Sequence, residues 1–225
     1  MTNKINDSKL SKNEEDYLKA IFHLTIDSNE DKVGANKLAE YLNLSPASVN
    51  SMVKKLKAKK MVNYERYGKM ELSEVGQLAA LSLIRKHRLW ETFLYEHLNF
   101  TWDEVHEVAE QLEHIRSEKL MKELDAFLGF PAIDPHGDVI PNADGSYLTS
   151  EKKTLSEMPV GSKCKLVAVK DGSVQFLQYL SELGLTLSTN FEVLDRQDFD
   201  KSMSILVGGK KVNVSKKFSE NIFVL

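Results

Sequence analysis

With 225 residues, 42% of them hydrophobic and 28% charged, the chain can supply one large or two to three small cored domains, which excludes disorder throughout. No stretch approaches the roughly eighteen apolar residues of a membrane span, and the polar opening MTNKINDSKLSKNEED lacks an export signal's apolar core, so a cytoplasmic protein with no membrane partner is expected. A single cysteine, Cys164, excludes an internal disulfide and a multi-thiolate zinc site and reads as a small core residue, while a net charge of −3 points by itself to no polyanionic partner.

Ser11 followed by Glu14 has the form of a capping box, and Tyr17, Leu18, Ile21, Phe22 and Leu24 recur with helical periodicity, which predicts a first helix from Lys12 to Thr25. After DSNEDK, the segment ANKLAEYLNL predicts a short second helix carrying Leu38, Ala39 and Leu42. Ser45 as N-cap and Pro46 at the first helical position start a third, with Val49, Met52, Val53 and Leu56 as its apolar face and Ser48, Asn50, Ser51, Lys54 and Lys55 on the other. MVNYERYGKMELS then reads as a hairpin around Tyr67-Gly68-Lys69, so residues 1–73 are expected to form a winged helix-turn-helix.

Between Ser45 and Lys69 seven basic residues (Lys54, Lys55, Lys57, Lys59, Lys60, Arg66 and Lys69) stand against the single acid Glu65, a candidate phosphate-binding surface. The expected DNA contacts are Ser45, Pro46, Ala47, Ser48, Asn50 and Ser51 at the helix start, with Lys54, Lys55, Arg66 and Lys69 on backbone phosphate. Lysines near a helix end also favour its dipole, so the patch carries more weight than any one of them.

Residues 74–150 are expected to hold a long helix capped by Ser73 and reaching His97, a second capped by Thr101 and running from Trp102 to Leu128, and a linker from residue 129. In the second, His106, Glu110, Glu113 and His114 fall within an arc of roughly 100° on an ideal helix, and His87 with Glu91 repeats the i, i+4 spacing in the first. Imidazole with carboxylate suits a divalent first-row transition metal. Val105, Val108, Leu112 and Ile115 lie opposite, so spacing alone leaves open that the polar side is simply wet.

His23, His97 and His136 fit no such spacing and read as structural or exposed, and Trp90, Phe93 and Trp102 as core or dimer interface. The stripe Leu78, Leu81, Ile84 and Leu89 would pack within the subunit or against a twin. GFPAIDPHGDVIPNADGSY holds three of the five prolines and three of the eleven glycines, which marks an irregular tie. In residues 151–225, CKLVAV, NFEVLD, MSILV, KKVNV and NIFVL read as strands of a small SH3-like barrel with VQFLQYLSELG as an inserted helix.

Taken in order, EDYLKAIFHL, SPASVNSMVKKLKAKKMV, RKHRLWETFL, VHEVAEQLEH, PHGDVIP and QFLQYL make the whole chain resemble the diphtheria toxin repressor and manganese transport regulator family of metal-dependent transcriptional repressors. The resemblance implies a mainly α fold with a small β part: a winged helix-turn-helix, a helical dimerization domain and an SH3-like, FeoA-type barrel. It implies a primary metal site of Asp16, Glu110, Glu113 and His114 and an ancillary site of His87, Glu91 and His106, with Gln175 from the barrel. It further implies a homodimer that presents two reading helices to a palindromic double-stranded operator.

Iron-sensing relatives carry methionine and cysteine where this chain has Asp16 and Glu110, so the expected ion is Mn²⁺, with Fe²⁺ second and Zn²⁺ or Cd²⁺ as occupants without a physiological role. Lys19 departs from the glutamate of the short manganese regulators, and Gly172 from the glutamate expected in iron-type barrels, where Asp171 is the adjacent carboxylate. The alternative from another class is a metallohydrolase using His106, Glu110 and His114; it has no accompanying nucleophile or general-base motif and leaves the winged helix unexplained. No enzyme and no small organic substrate is therefore expected.

Overall fold

A computed structural model describes residues 10–28, 32–64, 69–146, 152–170 and 172–225. The chain divides into two compact units, Met1–Lys86 with Pro141–Ser146, and His87–Ile140 with Tyr147–Leu225. The first contains α1 (Lys12–Ser28), β1 (Val33–Gly34), α2 (Ala35–Tyr41), α3 (Pro46–Ala58), β2 (Val62–Tyr64), β3 (Lys69–Leu72) and the start of α4 (Glu74–His97).

The caps explain where these elements begin. Ser11 N–H donates to Glu14 Oε2 at 2.7 Å and Glu14 N–H to Ser11 Oγ at 3.3 Å, the reciprocal capping box read from the sequence. Ser45 Oγ accepts from Ser48 N–H at 3.2 Å with Pro46 next in line, so α3 starts where expected. The second helix stops at Tyr41, short of Leu44, because Asn43 turns left-handed at φ 52° and Leu44 N–H bonds back to the Ala39 carbonyl.

Leu18, Ile21, Leu38, Val49, Val53, Leu56 and Met70 are fully buried in this unit, each worth about 1.5–3 kcal/mol of apolar transfer. Antiparallel β2 and β3 pair Val62 with Leu72 and Tyr64 with Met70, and β1 joins the other edge of β3, giving the order β1-β3-β2. The wing tip, residues 65–68 with Arg66, lies outside the described residues. A Cβ on Gly76 would lie 1.9 Å from the Met61 carbonyl oxygen, so only glycine lets α4 begin this close to the chain leaving α3.

In the second unit the single helix expected from Trp102 to Leu128 is two, α5 (Val105–Leu112) and α6 (Glu118–Phe127). Residues 102–104 form a turn, with Trp102 buried among the barrel residues and its indole N–H donating to Ser181 Oγ at 3.0 Å. Thr101 caps nothing; its own N–H is taken by Glu104 Oε2 at 2.9 Å. Ser117 starts α6 instead, its Oγ accepting from Leu120 N–H at 3.2 Å.

All five expected strands occur, as β5 (Lys163–Val169), β6 (Asn190–Arg196), β7 (Met203–Val207), β8 (Lys210–Val214) and β9 (Ile222–Val224). A two-residue β4 (Lys153–Thr154), too short to show a pattern, completes an SH3-like sheet of order β4-β9-β5-β6-β7-β8. The inserted helix is α7 (Val174–Glu182), and a five-residue α8 (Lys216–Glu220) precedes β9. Leu166, Leu177, Leu180, Leu185, Val193 and Ile205 form this core, and Cys164 is buried in it, where burial pushes its thiol pKa up.

A second core joins Leu89, Trp90 and Leu94 of α4 to Val105, Ala109, Leu124 and Ile140. The segment after Gly129 has no long element, as expected, yet it is no loose tie: Ile133 bridges Val139, and Asp134, His136 and Ile140 are buried. Among the described residues no helix is long and apolar enough to cross a membrane.

Candidate metal centre

One turn of α4 puts His87 and Glu91 on the same side, and one turn of α5 does the same for His106 and Glu110. The two pairs converge. His87 Nε2 lies 2.9 Å from Glu91 Oε1 and 3.1 Å from His106 Nδ1, and His106 Nδ1 lies 3.3 Å from Glu91 Oε1. His106 Nε2 is 3.7 Å from Glu110 Oε1, and His87 Nδ1 is 2.5 Å from Glu113 Oε2. One donor atom from each of His87, His106 and Glu110 falls within 4.8 Å of the others.

Exposure is graded across this group, from the Glu113 side chain at 0% to that of His106 at 53%. Burial by itself would raise the Glu91 carboxyl, but the charge of His87 and the hydrogen bonds from His106, His136 and His87 hold it well below the ordinary carboxylate range. The donor set fits a divalent ion: imidazole nitrogens and carboxylate oxygens share one volume, and no sulfur enters it.

A second cluster, formed by Glu91, Asp134 and His136, lies deeper; donor atoms of these three buried residues also fall within 4.8 Å of one another. His136 Nε2 donates to the Trp102 carbonyl at 2.7 Å, which turns Nδ1 toward Glu91 Oε2 at 3.6 Å. Asp134 Oδ1 accepts the N–H groups of His136 at 2.8 Å and Asp138 at 3.0 Å, and Arg88 Nε stands 3.4 Å from Asp134 Oδ2.

Burial first, then the charges of Glu91 and Asp138, push the Asp134 carboxyl up to about 7 against the pull of Arg88 and His136. Burial works against a charged His136, yet Glu91 and Asp134 outweigh it and lift the imidazole to about 9. Sequence reasoning gave neither Asp134 nor His136 a role. The available signal was the run Asp134-Pro135-His136 at the start of DPHGDVIP, two ligand types held stiffly by proline in a segment read as an irregular tie and a family motif.

The other expected site residues are distributed as follows. Asp16 is half-buried on α1 of the first unit, with Lys19 one turn on. Glu110 lies in α5, Glu113 is its C-cap with N–H bonded to the Ala109 carbonyl at 2.9 Å, and His114 comes after the helix, its Nε2 3.7 Å from Glu113 Oε1. Gln175 is exposed in the first turn of α7 and makes no hydrogen bond to the cluster among the described residues; Asp171 lies outside them.

On α3, Ser45, Pro46, Ala47, Ser48, Ser51, Lys54 and Lys55 are exposed, as is Lys69 on β3, whereas Asn50 is half-buried. Two of the basic residues already have acceptors: Lys57 Nζ donates to the Tyr64 carbonyl at 3.2 Å and Lys59 Nζ to Glu14 Oε2 at 2.8 Å.

Three family models match in succession: the N-terminal DNA binding domain of iron dependent repressors over residues 9–70, their metal binding and dimerisation domain over 73–142, and a FeoA domain over 153–225. The chain is 30% identical to the iron-dependent repressor IdeR of Mycobacterium leprae over 138 residues, 58% of this chain and 60% of that protein. It is 35% identical to an HTH-type transcriptional regulator of Methanocaldococcus jannaschii over 53% of this chain and 94% of that one.

Among solved structures, a manganese-dependent transcriptional repressor in complex with manganese superposes with a TM-score of 0.84 at 36% identity, covering 94% of this chain and 99% of that one. The manganese regulator SloR does so with a TM-score of 0.77 at 33% identity, covering 96% and 99%. A DNA-binding domain, a metal-binding and dimerisation domain and a FeoA domain in this order are the plan of a family of transcriptional repressors, not of enzymes. The chain belongs to the iron-dependent, or diphtheria toxin, repressor family of metal-dependent DNA-binding regulators.

Proposed function

We propose that the chain is a Mn²⁺-activated transcriptional repressor of metal-ion uptake and homeostasis genes, acting in the cytoplasm as a homodimer on a palindromic operator. The observation that carries this reading is Glu110. A carboxylate oxygen stands 3.7 Å from His106 Nε2 where iron-type relatives offer a thiolate, and the only cysteine, Cys164, is buried in the barrel core. Oxygen-rich, sulfur-free donor sets favour Mn²⁺. The similarity to repressors described as manganese-dependent supports the same choice.

His87, Glu91 and His106 would hold the ancillary ion and Glu110, Glu113 and His114 the primary one, with Asp16 joining the latter as the family resemblance implies. When bound, a divalent ion supplies positive charge and directed coordination bonds. The chain's part is to bring carboxylates from α4 and α5 together beside imidazoles that offset part of their repulsion. Because Asp16 belongs to the reading domain and Glu110 to the dimerization helices, shared ligation would favour the dimer whose reading helices match successive major grooves.

Fe²⁺ is the second reading, and the kinship to mycobacterial iron-dependent repressors favours it. Anaerobic operator titrations with Mn²⁺, Fe²⁺, Zn²⁺ and Cd²⁺ decide between them. Mn²⁺ should tighten binding at the lowest free concentration that is physiologically relevant; affinity that is the same with and without metal would sink the metal switch. Replacing Glu110 by cysteine and Asp16 by methionine should move the preference toward Fe²⁺.

A further inference from the structure

Asn50 is the one expected base-reading side chain of α3 that is not turned fully to solvent. It lies on the flank facing the wing, where the Tyr64 hydroxyl donates to its Oδ1 at 3.3 Å. Tyr64 is itself held from two sides. Lys57, two helical turns beyond Asn50, donates Nζ to the Tyr64 carbonyl at 3.2 Å and places its ammonium 6.0 Å from the ring centroid. On the other side Tyr64 pairs with Met70, which is fully buried.

An asparagine amide is planar, with an accepting oxygen on one branch and an NH₂ donor on the other. Reading adenine bidentately requires both branches to face one base edge, the oxygen accepting from N6 and the nitrogen donating to N7. Here the oxygen is turned to the wing, and the Asn50 Nδ2 hydrogens make no hydrogen bond among the described residues. The groove is therefore offered a donor.

We propose that Tyr64 is a specificity-setting, positioning residue of the DNA site: its hydroxyl holds Asn50 as a hydrogen-bond donor, so that one base in each half-site must present an acceptor. Guanine, adenine and thymine do so in the major groove; cytosine presents only its N4 donor. The proposal rests on the DNA-binding character of the family and is independent of which ion activates the protein.

The test is selection from a random duplex pool by the full-length protein with saturating Mn²⁺, for wild type, Tyr64→Phe and Asn50→Asp. Wild type should select a motif depleted of cytosine at one base of the contacted strand in each half-site. Tyr64→Phe removes a single hydroxyl from a half-exposed ring and should relax that depletion by about threefold or more, the worth of one hydrogen bond, while other positions stay unchanged. Asn50→Asp can still accept from Tyr64 but no longer donates, and should turn the same base pair toward cytosine.

A role confined to fold stability would lower affinity for all sequences alike and leave the motif intact. A Tyr64→Phe motif identical to wild type overturns the proposal, as does a change at a base pair different from the one Asn50→Asp alters. Failure of the manganese reading would show separately, as a wild-type selection indifferent to added Mn²⁺.

Discussion

Two metal-capable clusters of the second unit meet at Glu91 but are built differently. His87, His106 and Glu110 come from facing sides of two helices, and His106 and Glu110 reach solvent, the His106 side chain being 53% exposed; Asp134 and His136 come from an irregular segment and are buried with Glu91. The outer cluster lets water solvate His106 and Glu110 when no ion is bound, with His87 buried behind them. The inner one cannot, so it meets the cost of burial with its own charges: Arg88 beside Asp134, and an imidazole lifted to about 9. An open site can exchange its ion; a closed one ties segments together.

That contrast is most directly broken at Arg88. Arg88→Met removes one of the two buried cations beside Asp134 and should cost roughly 3–5 kcal/mol in thermal or denaturant unfolding above about pH 8, where the Asp134 carboxyl, raised to about 7, is ionised, with the outer cluster's ligands untouched. A loss below about 1 kcal/mol there would mean that Asp134 does not depend on Arg88 for its charge. Next comes Glu91→Gln, which removes a carboxylate grouped with Asp134 and His136 and hydrogen-bonded to His87 and His106, and should weaken Mn²⁺ binding by on the order of 100-fold in calorimetric titration. If only one of two binding phases weakens, the clusters do not share this carboxylate in solution.

The pH dependence of the metal-free protein sharpens the comparison further. His136 is raised from 6.5 to about 9, so the stability it contributes is fully present below about 6.5 and is lost as pH rises through about 9. Metal-free unfolding between those limits should lose on the order of 1–3 kcal/mol, and His136→Gln should flatten the slope. The smallest effect is expected at half-exposed Glu110: Glu110→Ala should reduce Mn²⁺ affinity and operator activation by about tenfold and leave the melting temperature within a degree or so. Full activation in that variant would remove Glu110 from the site.

The outer cluster was legible because helices keep a period: His87 with Glu91 and His106 with Glu110 needed only i, i+4 spacing to be placed on common faces. The same logic failed beyond Leu112. It carried one helix through a turn and across Ser117, because the apolar pattern of Val108, Leu112 and Ile115 persists while the N-cap hydroxyl alone ends it. His136 was illegible for a different reason: its partners Glu91 and Trp102 are more than thirty residues away, and no local rule brings them together.

The sequence by itself determined the order of domains, the cap and face of the reading helix, the five strands of the barrel and the i, i+4 placement of His87 with Glu91 and of His106 with Glu110. These follow from periodicity, capping chemistry and composition, which act over a few residues. Only the tertiary structure decided that Asn50 is turned to Tyr64, that Lys57 and Lys59 are occupied, and that the segment after Gly129 buries Asp134 and His136 against Glu91. Those outcomes depend on which distant groups compete for one acceptor once water is excluded, and that is settled by packing.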